Sequence, residues 1–341
     1  MSGLSLIGLA GVASAAIFIA GNQLIGNIAR IPNVFDGLKA AGRPGVPAAY
    51  RQSMTILVVG SDSRSATPVT AAGHGKPQAD LTQQQGDAIM LVHLNASGRA
   101  VSVISIPRNS WVRVPGLGMM SFYKVLALGG PPLMIKTVER LTGIRIDHYA
   151  VIDFAGLSSV VRALGGVRVA VARQTSRGGV TFRQGLNLLS PRAAMIYVST
   201  ATRPAGCRCW QRNGLPGGDL SRIQRQQNLI RSILATAASW RLLSDPIAWY
   251  RLLDAFSRAV SVDSTFTSAQ LRSLALRLAR LHGSSFTFLT VPVRGLGWQA
   301  RDGVVYLDGA QCATLWDAVR HDSVAAWAMR HPATVTPQVP Y

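Results

Sequence analysis

The chain has 341 residues, of which 48% are hydrophobic and only 15% charged, a composition that excludes a disordered polymer and allows one large core or two. Three cysteines exclude a disulfide scaffold. The formal charge is +20, Lys39, Lys76, Lys124 and Lys136 are the only lysines, and Glu139 is the only glutamate. So strong an arginine excess points to an anionic partner: nucleic acid, an anionic membrane surface or a phosphorylated ligand.

The first 29 residues contain no Asp, Glu, Lys or Arg, and Leu4 to Ala20 is almost wholly apolar or small. That run meets the roughly 20 residues a helix needs to cross a bilayer. No basic segment precedes it, which argues against a cleaved signal peptide with Ala13-Ser14-Ala15 as its site, and residues 1–29 read as one transmembrane anchor. Arg30, Lys39, Arg43 and Arg51 follow the anchor, and the positive-inside rule alone would leave the bulk of the chain in the cytoplasm.

Residues 30–50, with Pro32, Gly37, Gly42, Pro44, Gly45 and Pro47, read as a linker. A main domain is then expected over 51–325, and a C-terminal tail over 326–341. Met54 to Val59 predicts a strand that ends at Gly60-Ser61-Asp62-Ser63-Arg64. Ala88 to Leu94 and Ala100 to Ile106 predict two more, joined by the turn Asn95-Ala96-Ser97-Gly98. Pro132 to Leu141 predicts a helix, Tyr149 to Phe154 a strand, Leu157 to Leu164 a helix and Val167 to Val171 a strand. Pro191 to Tyr197 and a long segment from Asp219 read as helices. Phe286 to Val291 predicts a late strand, and Gly309 to Val319 a helix capped by Asp308. Such alternation predicts an α/β fold, three layers (α/β/α) around a central mixed sheet.

Asp219, Arg222 and Gln226 fall within about 60° of one another on a helix wheel, with Arg225 pointing elsewhere. A carboxylate, a guanidinium and an amide on one face suit a phosphate-bearing ligand, since arginine offers a planar fork of donors. Taken alone, the same face also suits a solvated helix with Asp219 as its cap. Asp62 follows the first strand and Asp87 precedes the second. Adjacent strands would bring both carboxylates to one edge, where they can share a divalent metal. Cys207 and Cys209 are two apart, poor geometry for a mutual bond; a disulfide from either to Cys312 and three free thiols both remain open.

In order along the chain stand Ile56-Leu57-Val58-Val59-Gly60-Ser61-Asp62-Ser63-Arg64, Gly86-Asp87-Ala88-Ile89-Met90-Leu91, Ser105-Ile106-Pro107-Arg108-Asn109, Ile146-Asp147-His148-Tyr149, Phe154, Gly165-Gly166-Val167 and Asp219 through Gln227. In these segments the chain resembles the LytR–CpsA–Psr family, over Met54 to Ile233 and more weakly from Phe286 to about Val319. The resemblance implies a single-pass cell-membrane protein with an extracytoplasmic domain, against the basic flank. It implies transfer of a phospho-linked glycopolymer from a polyprenyl-pyrophosphate carrier to a peptidoglycan hydroxyl, with Mg²⁺ or Mn²⁺ as cofactor. The charge alone would also suit a membrane-tethered nucleic-acid binder, but no helix-turn-helix or aromatic-rich RNA motif is recognised, so no nucleic-acid partner is expected. Asp62 and Asp87 would then hold the metal. Arg108 and Arg222 would act with Asp87 at the reacting phosphate, and Arg64, Asp219, Arg225 and Gln226 would bind substrate. An apolar groove beside Arg108 and Arg222 would take the lipid. The chain departs from the pattern at Gln85, Asn109, Ser199 and Ala201, where the family carries arginines and, at 109, an acid. Those departures favour a second expectation, a degenerate member that binds polyprenyl-linked glycan without transferring it; Arg203, Arg208 and Arg212 in the following loop could fold back as substitutes, but read better as solvated loop charges.

Overall fold

A computed structural model describes residues 23–61, 86–199, 217–239, 245–299 and 302–337. Its centre is a seven-stranded mixed sheet. In chain order the strands are β1 (Ala29–Ile31), β2 (Met54–Ser61), β3 (Gly86–Leu94), β4 (Val101–Ile106), β5 (Trp111–Val114), β6 (Gly118–Ser121), β7 (His148–Asp153), β8 (Val167–Val171), β9 (Thr175–Arg177), β10 (Val180–Phe182), β11 (Gly185–Leu189), β12 (Val260–Asp263), β13 (Phe286–Thr290), β14 (Val293–Gln299) and β15 (Asp302–Leu307). The sheet order is β1-β12-β7-β2-β3-β4-β13, and the remaining strands form two-stranded hairpins around it. The helices are α1 (Lys124–Thr142), α2 (Phe154–Ala163), α3 (Pro191–Ser199), α4 (Gly217–Ala237), α5 (Pro246–Ala259), α6 (Ser268–Leu278), α7 (Gly309–Arg320) and α8 (Val324–Arg330).

The central strands are apolar on both faces, because helices cover both. Leu57, Val59, Ile89, Leu91, Ile104 and Ile106 alternate onto one face with Met134, Ile135 and Val138 of α1, Leu315 and Trp316 of α7 and Trp327 of α8. Ile56, Val58, Met90 and Ala150 face the other way, toward Ile230 and Leu234 of α4 and Leu271 and Leu274 of α6. The two faces are not sealed equally. The first six residues are 0–1% exposed, whereas Ile56, Val58, Ala88, Met90 and Ala150 are 5–9% exposed. A separate cluster joins α2, α3, β8, β11 and Leu229 of α4.

Several sequence expectations shift for local reasons. Helix α1 starts eight residues before Pro132, and Gly129 and Gly130 interrupt it with non-helical torsions (φ −151° and +60°) ahead of Pro131. Asp308 caps α7 as expected, accepting from the Gln311 amide at 3.0 Å. Asp219 is not a cap: α4 begins at Gly217 and places Asp219 inside its first turn. Residues 30–50 are no free linker. Ile31 pairs with Asp263 in the sheet, Val34 is buried, and Arg43 grips the buried Glu139 with Nη2 at 2.7 Å from Oε1. The segment expected as a tail from 326 carries most of α8, with Trp327 in the core, and Thr336 donates to Gln227 of α4. Cys312 is a free, buried thiol, pushed up to about 12 by burial. Cys207 and Cys209 lie outside the described residues, as do residues 1–22 of the expected anchor. No described helix is long and apolar enough to cross a membrane.

Helix α2 crosses α5 at Gly156, where an added Cβ would lie 2.5 Å from both Cα and Cβ of Ala259. Backbone cannot withdraw as a flexible side-chain tip can. Gly156→Val is therefore expected to destabilise the domain by about 1–3 kcal/mol, read as a lower denaturation midpoint; an unchanged midpoint would mean the two helices separate without cost.

Candidate active site

Register brings the candidate residues to one end of the sheet. In the antiparallel pair β2–β3, Ser61 stands opposite Gly86. In the parallel pair β2–β7, Ser61 stands opposite Asp153. Strand β4 runs antiparallel to β3, with Ile106 opposite Ile89, so Pro107 and Arg108 emerge at the end where β3 begins. Asp87 is therefore placed, by its backbone in β3, at the same end as Arg108. Asp62 and Arg64 lie outside the described residues, as do Gln85, Ala201, Arg203, Arg208 and Arg212.

The turn after β4 is held by the backbone. Tyr123 N donates to Arg108 O at 2.8 Å, Val305 N to Asn109 O at 2.9 Å, and Ser110 N to Pro107 O at 3.0 Å. Against this turn α4 sets Asp219. Its Oδ1 accepts from Arg222 Nη2 at 2.8 Å and lies 3.7 Å from Arg108 Nε, while its Oδ2 accepts from Asn109 Nδ2 at 2.7 Å. Asp219, Arg222 and Gln226 are all buried, at 3–7% exposure. A buried carboxylate survives only when paired and hydrogen-bonded, and here two side chains donate to it. The amide at 109 thus has a physical reason. A carboxylate there would face Asp219 across a hydrogen-bond distance and need further cations to offset it.

The polar character continues into the helix interior. Gln227 Nε2 donates to Ser105 Oγ at 2.5 Å and to Leu289 O at 2.7 Å, fastening α4 to β4 and β13. Asn228 Nδ2 donates to the Tyr197 hydroxyl at 3.2 Å. Gln226 Nε2 is buried and has no hydrogen-bond partner among the described residues. Such an amide in a native interior needs an explanation, and a bound oxyanion supplies one.

Arg225 turns away from Asp219, as the wheel predicts, and its Nε donates to Tyr197 O at 2.8 Å. Burial, then the neighbouring charges of Arg177 and Arg222, lower its pKa to about 10. Arg177 escaped sequence reasoning because its partner lies 48 positions away and its hairpin is short. Strands β9 and β10 turn through Gly178 and Gly179, both at positive φ, and Gly178 abuts Ile196 of α3. That contact holds the hairpin against α3, and from there the charge of Arg177 bears on Arg225. Asp153 was likewise missed; it is a buried carboxylate opposite Ser61. No group of three or more metal-ligating side chains occurs among the described residues. A cleft of about 310 Å³ runs beside α4, lined by Leu220, Gln224, Pro292, Gln311 and Val335 among others. It lies on a different face of α4 from the Asp219–Arg222–Gln226 face, so it is not the apolar groove expected there.

Known proteins are similar to this chain in sequence and in fold. The probable cell wall biosynthesis protein LcpB of Corynebacterium glutamicum is 31% identical over 282 residues, covering 81% of this chain and 63% of the relative. The polyisoprenyl-teichoic acid–peptidoglycan teichoic acid transferase TagT of Bacillus subtilis is 26% identical over 227 residues, 64% of this chain and 62% of that protein. The chain thus spans less than two thirds of the length of these curated relatives. Among solved structures, TagT bound to LI-WTA superposes with a TM-score of 0.58 at 21% identity, over 80% of this chain and 91% of that one. TagT (YwtF) with bound octaprenyl pyrophosphate lipid gives 0.55 at 20% identity, over 83% and 97%. These structural likenesses establish a shared fold. The profile of the LytR_cpsA_psr family matches residues 36–320, and the chain belongs to that family.

Proposed function

We propose that this protein is a membrane-anchored transferase that moves a phospho-linked glycopolymer from a polyprenyl-pyrophosphate carrier to a hydroxyl of peptidoglycan, outside the cytoplasm. The observation that carries this reading is the buried Asp219–Arg222–Gln226 face, with an amide donor that no described protein group satisfies. Buried guanidinium and amide donors beside two further arginines suit a pyrophosphate, whose charge they offset in a site shielded from water. The looser sealing of the sheet face under α4 supports the lipid half of the substrate: Ile56, Val58, Met90 and Ala150 line an apolar surface that is less tightly closed than the opposite one.

In the proposed step the acceptor hydroxyl oxygen bonds to the phosphorus that carries the glycan. The bond from that phosphorus to the bridging oxygen breaks, polyprenyl monophosphate leaves, and the hydroxyl proton passes to solvent. Arg108 and Arg222 bind the pyrophosphate oxygens, Gln226 donates its amide, and Asp219 with Asn109 holds the arginines in place. Arg177 and Arg225 add positive charge from the side of α3. The Ser61–Gly86 register places the backbone of Asp87 at this end of the sheet, beside the last described residue of β2, and carboxylates are the hard oxygen donors such a metal takes. Asp62 and Asp87 would hold Mg²⁺ or Mn²⁺, which neutralises charge developing on the phosphate oxygens.

The departures at Gln85, Asn109, Ser199 and Ala201 favour a second reading, a binder without transferase activity. Two structural features oppose it. Asn109 is a donor to Asp219, so the lost acid and the lost arginines partly balance; Arg177 adds its charge beside Arg225, whose Nε donates to Tyr197 O in the last turn of α3.

Cleavage of a polyprenyl-pyrophosphate-linked glycan, assayed with Mg²⁺ and with Mn²⁺, separates the readings. Wild type is expected to turn over and Asp87→Ala to be inactive; binding without turnover above Asp87→Ala would establish the binder. Arg222→Ala is expected to weaken lipid-pyrophosphate binding by at least about 1.5–3 kcal/mol, the usual worth of a charge-assisted contact, and to lower the denaturation midpoint as well, because it strands the buried Asp219 carboxylate. Arg177→Ala should lower kcat/KM by about tenfold or more on the same scale, and an unchanged value would remove the hairpin arginine from the site. Asn109→Asp should lower affinity for the pyrophosphate, because it sets a second carboxylate against Asp219; unchanged or tighter binding would contradict that role.

A further inference from the structure

Helix α5 carries an unusual surface. Ile247, Tyr250, Leu253 and Phe256 follow one another at i+3 steps along it, and they are 64%, 40%, 38% and 51% exposed. No other described helix exposes more than two large apolar side chains. The opposite side of α5 is satisfied: Leu252 and Ala259 are buried, and Ala248 and Ala255 pack toward Val160 of α2, as does Trp249 from between Leu253 and Phe256. Arg251 and Arg258 flank the apolar ridge and are exposed; Arg258 Nε lies 3.0 Å from Asp254 Oδ2.

The position of the ridge identifies its occupant. Strand β12 continues directly from α5, and β1 pairs with it in parallel, Ala29 opposite Ser261. Parallel pairing means that the segments before the two strands reach the sheet from the same end. The chain therefore arrives at β1 alongside α5, and Asn27 Nδ2 donates to Asp254 Oδ1 of α5 at 3.1 Å. Ahead of Asn27 lie 26 residues without a charged side chain. An amphipathic helix with aliphatic and aromatic side chains on one side and arginines at its flank is the chemistry of a bilayer interface, where apolar side chains sink below the headgroups and guanidiniums stay among the phosphates.

We propose that α5 lies on the membrane surface as a second contact beside the anchor, fixing the orientation of the domain over the lipid carrier; this rests on the reading of residues 1–29 as an anchor. The seat would hold the domain against a surface from which a polyprenyl chain must be drawn, rather than leave it to swing on a single tether.

The test uses the full chain in vesicles of phosphatidylglycerol and phosphatidylethanolamine. Cys207→Ser and Cys209→Ser remove two native cysteines, and Cys312 is shielded by burial. A fluorophore is attached at Tyr250→Cys or Phe256→Cys, with Leu276→Cys of α6 and Met329→Cys of α8 as exposed controls. Lipid spin-labelled near the headgroup is expected to quench the α5 probes and not the controls, and Ile247→Glu with Leu253→Glu should abolish that difference. Equal quenching of α5 and control probes overturns the proposal. So does an α5 probe shielded from aqueous quencher but untouched by lipid, which would assign the ridge to the chain's own N-terminal segment or to a second copy. Alkaline extraction separates the two layers of inference: protein that resists extraction while α5 stays in water sinks only the seat, whereas protein that is extracted sinks the anchor and the seat together.

Discussion

The Asp219 carboxylate is the interaction on which the site depends. It is buried, it accepts from Arg222 and Asn109, and it lies within reach of Arg108. Those three partners come from two segments more than a hundred residues apart, the turn after β4 and the second turn of α4. Removing one partner from a buried ion pair leaves a stranded charge at a cost of about 3–5 kcal/mol, so the pair and the approach of α4 to the sheet stand or fall together. The same contact explains why the long helix enters with polar rather than apolar residues. Gln227 and Asn228 continue the polar run inward, and each is consumed by a defined partner in β4, β13 or α3.

The sheet divides labour between its faces. One is closed by α1, α7 and α8 over residues that are essentially inaccessible, and it carries most of the large buried side chains. The other, under α4 and α6, is packed less tightly around Ile56, Val58, Met90 and Ala150. Burial stabilises in proportion to apolar area removed from water, about 25 cal/mol per Å², so the first face dominates the stability of the domain.

What the sequence made legible was local. Met54 to Val59 reads as a strand because a run of branched apolar residues ends at Gly60, and Asp308 reads as a cap because the apolar pattern starts just after it. The clustering of Asp219, Arg222 and Gln226 follows from helical spacing alone. What stayed hidden depends on contacts between distant segments. Asp219 looks like a cap until Arg108 and Asn109 claim its oxygens. Arg177 carries no local signal, since its effect arises from a hairpin packed on Ile196. Strand β12 is four residues long and gains its identity only from β1 and β7. The kink at Gly129 and Gly130 divides a helix whose first half, read alone, has the glycines and prolines of a loop.

The most direct measurement is a crystal structure of the protein soaked with a short-chain polyprenyl pyrophosphate and Mn²⁺. A pyrophosphate oxygen should lie at roughly 3 Å, hydrogen-bonding distance, from Gln226 Nε2 and from the Arg222 guanidinium, with the metal between Asp62 and Asp87 and the prenyl chain along Ile56, Val58 and Met90. A pyrophosphate bound elsewhere, or Gln226 Nε2 satisfied by a protein group while the ligand is present, would contradict the assignment of this face as the substrate site.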